Sequence, residues 1–249
     1  MTASSEPLAE LSPLPKADGS ASFSHAGYVV TAAVNGPIEA PRRDENPFEA
    51  LVDVVVRPSA GVGGPPERQL ESIVQSALRQ LIPVRDFPRC MIQVTLQVMQ
   101  TPGNAYQNTK LVHAQLNLTI IPALLHAAIL GVLTAAIPLK TVAAAAAVAV
   151  SARSKDLIVD PSPDEADKAG SVHVMAFTSN QELLLAESSG SFSVQDWDKV
   201  LETGRQICCQ AQTSGPDTAM TGAELASPSI KAFIRSVMGK SSAADFQRK

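Results

Sequence analysis

Cysteine is scarce in this sequence of 249 residues, which contains three: Cys90, Cys208 and Cys209. Their spacing matches no metal-ligand pattern, and a sparse, odd count is typical of proteins kept in a reducing compartment. The first residues, MTASSEPLAELSPLPK, lack the basic segment and the apolar run of a secretory signal, so we expect no signal peptide. A tandem repeat of fixed period is lacking as well, which argues against a repeat architecture.

An excess of positive charge is also lacking, since 20 Lys and Arg residues stand against 24 Asp and Glu, for a formal net charge of −4. The overall charge therefore does not indicate a nucleic-acid-binding protein, although local basic patches remain possible. Hydrophobic residues make up 45% of the chain. This is enough for a substantial core in one large or two small domains.

Charged residues are absent from Leu118–Leu139. The stretch is long enough for a membrane-spanning helix, but it contains Pro122, Pro138 and the polar His126. No basic cluster marks a cytoplasmic side, and a second apolar run, Thr141–Val150, follows almost at once. We therefore predict a helix buried inside a soluble protein rather than one in a membrane.

The second apolar run is predicted to be a strand. Ala143–Ala147 prefers helix on propensity alone. The preceding Pro-Leu-Lys turn and the flanking valines favour a strand, and a fully buried central strand can override propensity. A helix, a tight turn and a strand buried on both faces predict the centre of a layered α/β domain.

The remaining periodicities predict a sheet-and-helix domain over residues 16–211, between a disordered tail (1–15) and a segment (212–249) of linker, C-terminal helix and polar tail. Gly36-Pro37 is expected to stop the predicted strand 28–34, and 151–170 to be a loop with one short strand at 157–159. The predicted strands are 21–25, 28–34, 51–57, 91–99, 143–150, 171–177 and 182–186, and the predicted helices are 67–82, one opening at the capping box Ser193–Asp196, and 229–238.

Several short strings in chain order carry a family resemblance. They are Asp18-Gly19-Ser20-Ala21, Val34-Asn35-Gly36-Pro37-Ile38-Glu39 with Pro41-Arg42 after it, Ala136-Ile137-Pro138-Leu139, and Asp156-Leu157-Ile158-Val159-Asp160. They resemble the D-G-S-A hairpin, the G-P-x-E loop, the A-G-I-P helix end and the D-x-I-x-D strand of the RNase PH family. Phe87-Pro88-Arg89-Cys90 before a strand is similar to one subgroup, a core ring subunit of the eukaryotic RNA exosome.

The resemblance implies an α+β fold of the RNase PH-like (ribosomal protein S5 domain 2-like) type, with a mixed sheet packed against helices in a single domain. Active members are phosphorolytic 3′→5′ exoribonucleases that hold phosphate with arginines and a Gly-Ser-Arg turn at a helix N-terminus. This chain has Thr119-Ile120-Ile121 at that turn. It has Pro65-Pro66 close to where the family has a pair of arginines, and Ser171 where the family has an aspartate on a strand. The departures imply a catalytically dead subunit with no cofactor.

The resemblance further implies a non-catalytic structural subunit of the exosome ring that supports rRNA processing and RNA decay in the nucleus, nucleolus and cytoplasm. Expected partners are another RNase PH-like subunit in a hetero-dimer of the six-membered ring, S1 or KH cap subunits, a hydrolytic nuclease, and single-stranded RNA in the channel. No membrane partner is expected. The alternative is an active phosphate-dependent 3′–5′ exoribonuclease with unrecognised substitutes for the missing groups.

Three arginines are the candidate RNA contacts. Arg42 and Arg43 lie on the loop whose family counterpart contacts RNA near the channel. A solvated loop with Asp44 and Glu45 as their partners is the other interpretation. Arg68 is a weaker candidate, for which a solvated helix face is the alternative.

No catalytic or metal-binding residue is predicted. The acidic run Asp164, Glu165 and Asp167 is interpreted as a solvated loop, with a metal site as the alternative. The four histidines do not cluster in sequence, His126 is expected to be a satisfied core residue, and no His/Asp arrangement supports Ser171 as a nucleophile.

Overall fold

A computed structural model describes residues 7–102, 117–152, 155–209 and 230–247. The strands are β1 (Leu8–Leu11), β2 (Gly19–His25), β3 (Tyr28–Glu39), β4 (Leu51–Arg57), β5 (Cys90–Gln100), β6 (Ala143–Ser151), β7 (Leu157–Val159), β8 (Ala169–Thr178) and β9 (Leu183–Gly190). The helices are α1 (Pro65–Leu81), α2 (Ile121–Thr134), α3 (Pro163–Lys168), α4 (Val194–Cys209) and α5 (Ile230–Gln247), with short 3₁₀ turns at Val84–Asp86 and Leu118–Ile120.

These strands form two sheets. The first has the order β1-β2-β3-β5-β4, in which only β4 and β5 run parallel, and the second is the antiparallel β7-β6-β8-β9. The predicted α+β class, with a mixed sheet packed against helices, is confirmed. In β5 the side chains of Ile92, Val94, Leu96 and Val98 are buried and alternate with more exposed ones, as the period of two requires.

The charge-free helix α2 lies between the two sheets. It contacts β2 and β3 of the first sheet and β6 of the second, and every residue from Ile121 to Val132 is buried. A helix covered on all sides can be apolar all round. Over the described ranges, no helix has the length and hydrophobicity needed to cross a membrane.

The alanine-rich run is a strand, as predicted. Ala144 and Ala146 pack on the side of Val200 in α4, whereas Ala145 packs with Leu125 and Ile129 of α2. Small side chains on both faces let helices approach the sheet from both sides. Tertiary packing therefore outweighs the helix propensity of alanine here.

Two predicted boundaries near the N-terminus are wrong. Leu8–Leu11, expected in the disordered tail, form β1, because the outer edge of β2 offers unpaired backbone groups and Leu8 pairs with Ser24. Gly36-Pro37 does not end β3, which continues to Glu39 through an irregularity in its pairing with β5. The Gly36 N–H donates instead to Asp18 Oδ2, at 2.9 Å.

The predicted loop 151–170 contains a helix in addition to the expected strand β7. Helix α3 is one and a half turns long and begins after Ser162, whose backbone N–H and hydroxyl both donate to Glu165 Oε2, at 2.9 and 2.8 Å. Sequence reasoning read Asp164, Glu165 and Asp167 as an acidic run and missed this capping box with Pro163 at the first helical position.

The predicted start of α4 is confirmed. Ser193 Oγ accepts the Asp196 N–H at 3.2 Å and donates to Asp196 Oδ2 at 2.7 Å, and that oxygen also accepts the Ser193 N–H at 3.3 Å. Aspartate thus replaces the usual glutamate in a working capping box. These hydrogen bonds lower the pKa of Asp196, and Lys155 adds to the effect.

Removing this cap should be measurable. We expect Ser193→Ala to lower the free energy of unfolding by about 1 kcal/mol, because the Asp196 N–H loses its acceptor. Urea unfolding is the measurement, and Gln195→Ala, exposed in the same turn, is the matched control. An equal loss in both variants would show that the cap contributes nothing specific.

The last helix is longer than predicted, since α5 runs from Ile230 to Gln247. Other predictions lie wholly or partly outside the described residues. They are the outermost part of the N-terminal tail (1–6), most of the loop from Thr101, the residue His113 and the linker after residue 211.

Candidate functional site

The turn at which the family resemblance implies a phosphate site is filled with neutral side chains. Leu118, Thr119 and Ile120 form the buried 3₁₀ turn before α2, and Ile121 is fully buried at the first helical position. The aliphatic side chains occupy the space beside the helix N-terminus. A phosphate bound here would have to displace buried apolar groups. It would also lack the arginine of the Gly-Ser-Arg turn that the resemblance implies.

The one polar side chain of this turn is satisfied within the protein. Thr119 Oγ1 lies 2.5 Å from Tyr28 Oη and donates to Asn117 Oδ1 at 2.7 Å, while Asn117 Nδ2 donates to Tyr28 Oη at 3.4 Å. Burial raises the pKa of Tyr28, although its hydrogen bonds to Thr119 and Asn117 oppose the rise. The tyrosine is therefore neutral at physiological pH and offers no charge for chemistry.

Ser171, the position at which the family resemblance implies an aspartate, lies in a hydrogen-bonded chain of neutral groups. Its Oγ is 2.9 Å from His173 Nε2, and His173 Nδ1 is 2.8 Å from Ser188 Oγ. Sequence analysis did not pair His173 with Ser171, but its expectation that no His/Asp arrangement accompanies Ser171 holds, because the second ring nitrogen meets Ser188 rather than a carboxylate. Positions i and i+2 of a strand share a face, and that spacing was the available signal.

The contact between Ser171 and His173 does not make a nucleophile. Ser171 is 2% exposed, and the second ring nitrogen of His173 meets a serine hydroxyl rather than a carboxylate. Burial lowers the pKa of His173, and the rings of Phe192 and Trp197 pack against it with centroids 4.7 and 5.5 Å away. The arrangement stabilises the start of β8 and lacks the oriented base of a catalytic triad.

The acidic run shows no geometry for a metal. Glu165 accepts two hydrogen bonds from Ser162, and these lower its pKa. Among the residues that the structure describes, no three His, Cys, Asp or Glu side chains come together so as to hold a metal ion. Of this run, Glu165 caps α3.

Arg42 and Arg43 lie on an exposed turn between β3 and β4. The Arg89 Nε to Glu45 Oε1 distance is 3.4 Å, so one of the two acidic partners considered for them is engaged elsewhere. Neither arginine has an ion pair within 4 Å in the part of the chain that the structure describes. Both guanidinium groups are available to an external anion.

Arg68 lies elsewhere. It is 84% exposed near the start of α1, 3.8 Å from Glu71, and lines a cleft of about 770 Å³ along the open edge of β4. Arg79 lies near the opposite end of α1, and its Nη2 donates to Glu49 Oε1 at 2.7 Å. Glu49 lies on the loop between β3 and β4 that also carries Arg42. Arg68 and Arg79 are eleven positions apart along the helix, or about 16 Å at 1.5 Å per residue. The three predicted RNA contacts therefore occupy two places.

Sequence comparison identifies the family. The two domain profiles of the 3′ exoribonuclease family, RNase PH, match residues 7–138 and 142–207. The exosome complex component RRP46 of Saccharomyces cerevisiae is 30% identical over 212 residues, covering 83% of this chain and 92% of the relative. The Schizosaccharomyces pombe component rrp46 is 28% identical over 196 residues, covering 76% and 79%.

Solved structures agree with the sequence matches. Rice (Oryza sativa) Rrp46 superposes with a TM-score of 0.68 at 25% identity, covering 81% of this chain and 87% of the rice chain. An archaeal exosome core chain superposes with a TM-score of 0.64 at 14% identity, covering 81% and 82%, which supports the fold alone. The profiles, the relatives and the fold together place this chain in the RNase PH family of 3′ exoribonucleases.

Proposed function

We propose that the chain is a non-catalytic structural subunit of an RNA exosome ring. Its similarity to an exosome component over 92% of that relative's length supports the ring role. The buried Leu118–Ile120 turn, continued by Ile121, supports the absence of phosphorolysis, because it fills the anion pocket with aliphatic groups. In this role the chain supports 3′–5′ RNA processing and decay, including rRNA processing, by lining the channel and holding the ring together.

The proposed partners are other RNase PH-like subunits in the six-membered ring, S1 or KH cap subunits, a hydrolytic nuclease, and single-stranded RNA. Sheet edges support such assembly, since β1, β4, β7 and β9 are the outermost strands of their sheets. Leu183 on β9 is 47% exposed and Leu8 on β1 is 66% exposed. Neighbouring subunits would cover such surfaces.

The proposed locations are the nucleus, nucleolus and cytoplasm.

Two measurements test this function separately. The tagged full-length chain, expressed in its native cells, should co-purify with other RNase PH-like subunits in equal amounts; recovery as a monomer or homo-oligomer would refute the ring role. The purified chain, given single-stranded RNA and inorganic phosphate, should release no nucleoside diphosphates. Phosphate-dependent release would instead establish the enzymatic alternative.

Arg42→Ala and Arg43→Ala should each weaken binding of the complex to single-stranded RNA and lower its salt dependence. The slope of log affinity against log salt should decrease by about 0.7 for each RNA phosphate that the variant no longer neutralises. Fluorescence anisotropy at several salt concentrations measures this, and Lys199→Ala, exposed on α4, is the control. Slopes equal to wild type in both arginine variants would favour the solvated-loop interpretation.

A further inference from the structure

One aromatic ring on the loop between β3 and β4, which also carries Arg42 and Arg43, is left exposed. Phe48 is 81% exposed, and it is the only large apolar residue in the sequence between Ala40 and Ala50. Burying a phenylalanine ordinarily stabilises a fold. Here the chain leaves that stabilisation unused.

The backbone beneath this ring is firmly held. The Phe48 N–H donates to Asn46 Oδ1 at 3.0 Å, and Asn46 Nδ2 donates to Glu49 Oε1 at 3.3 Å. The Asn46 carbonyl accepts the Arg89 N–H at 3.0 Å, and the Arg89 carbonyl accepts the Ala40 N–H at 3.1 Å. The loop is thus tied to the strand ends on both sides, so presenting the ring costs little additional ordering on binding.

Both glutamates of the loop are paired with arginines. Glu45 is offset by Arg89, at 3.4 Å, and Glu49 by Arg79, at 2.7 Å. Both of these arginines come from outside the loop. Its two paired glutamates therefore do not repel an anion as bare carboxylates would.

The loop's own arginines then outnumber its remaining acid. Arg42 and Arg43 stand against Asp44, and neither arginine forms an ion pair within the described ranges. Two exposed cations and one exposed, preorganised ring on a single loop combine phosphate attraction with a surface for base stacking. Proteins that bind single-stranded nucleic acid without sequence preference use this combination.

We propose that Phe48 stacks on a nucleobase of single-stranded RNA whose phosphates Arg42 and Arg43 contact. The proposal deepens the proposed function and rests on its channel role. RNA fits this surface better than a protein partner, because the core of a protein interface needs a cluster of apolar side chains. Phe48 is the one large apolar side chain between Ala40 and Ala50, and every base offers a flat face for it to stack on.

The test separates stacking from charge. The tagged full-length chain, purified with the subunits that accompany it, is titrated with single-stranded oligoadenylate and with an abasic phosphodiester of the same length. Phe48→Ala should weaken oligoadenylate binding about fivefold or more and leave abasic binding unchanged. Phe48→Trp should retain the affinity, and Val62→Ala, at a 91% exposed apolar residue of another loop, should change neither.

Three outcomes would overturn the stacking role: unchanged oligoadenylate affinity in Phe48→Ala, an equal reduction on both probes in that variant, or loss of the co-purifying subunits from Phe48→Ala while its RNA affinity is retained. The last would make Phe48 a protein contact. The proposed function is tested separately by the subunits recovered with wild type. If none accompany it, yet base-dependent binding still requires Phe48, the ring role fails and the stacking role stands.

Discussion

Gly19→Ala is expected to lower the free energy of unfolding by about 3 kcal/mol or more, because β2 and the end of α2 approach each other there without room for a methyl group. A Cβ at Gly19 would lie 2.5 Å from both Ala135 Cβ and the Gly131 carbonyl oxygen, and closer still to the Ala135 nitrogen. Backbone atoms cannot rotate away as side chains do, so α2 would have to shift. Urea unfolding and the yield of soluble chain measure the effect.

Gly63→Ala is the matched control. A Cβ at Gly63 would meet its nearest atoms, on Glu67 and Pro58, at 3.8 Å, which is ordinary contact. Its stability should stay within about 0.5 kcal/mol of wild type. If Gly19→Ala unfolds at the same urea concentration as Gly63→Ala, then α2 is not anchored by this close approach.

Sequence alone was sufficient for the elements whose neighbours impose a clear period. The alternation in β5 and the apolar stripe of α1 were predicted nearly to their ends, since burial on one face leaves a regular pattern. The Ala-rich β6 was predicted from its flanking turn and valines against its local preference. The approach of helices to both its faces explains why that preference is overridden.

What sequence could not provide are features that depend on a partner distant in the chain. Strand β1 forms because it pairs with the edge of β2. The residues Leu8–Leu11 alone do not indicate that pairing. The same holds for the candidate site. Arg42 and Arg68 were proposed together, but the direction of α1 separates them. The roles of Glu45 and Glu49 as partners of arginines in other elements appear only in three dimensions.

Lowering the pH should destabilise the chain through His126. This residue is fully buried in α2, and burial, assisted by the nearby His25, lowers its pKa from 6.5 to about 3. Its Nε2 accepts the Ala145 N–H at 2.9 Å, so the proton of the neutral ring is on Nδ1, which has no partner among the described residues. The expectation of a fully satisfied core histidine is therefore half right.

The direction of the pH effect follows from which state binds the proton. Above pH 6.5 neither state protonates His126, and between pH 6.5 and about 3 only the unfolded state does. The free energy of unfolding therefore decreases as the pH is lowered, by about 1.4 kcal/mol per pH unit in that window. The total decrease from pH 8 to pH 5 is about 2 kcal/mol. Urea unfolding across this range measures it.

His126→Gln isolates the contribution of the histidine from those of other acidic and basic groups. A glutamine oxygen can still accept the Ala145 N–H but does not titrate, so any packing cost should be the same at every pH. The stability difference between wild type and variant should thus shift by about 2 kcal/mol between pH 8 and pH 5, in favour of the variant at low pH. A difference that stays constant would mean that His126 is protonated in the folded chain as readily as in the unfolded one, and that the packing of α2 against β6 does not exclude its charge.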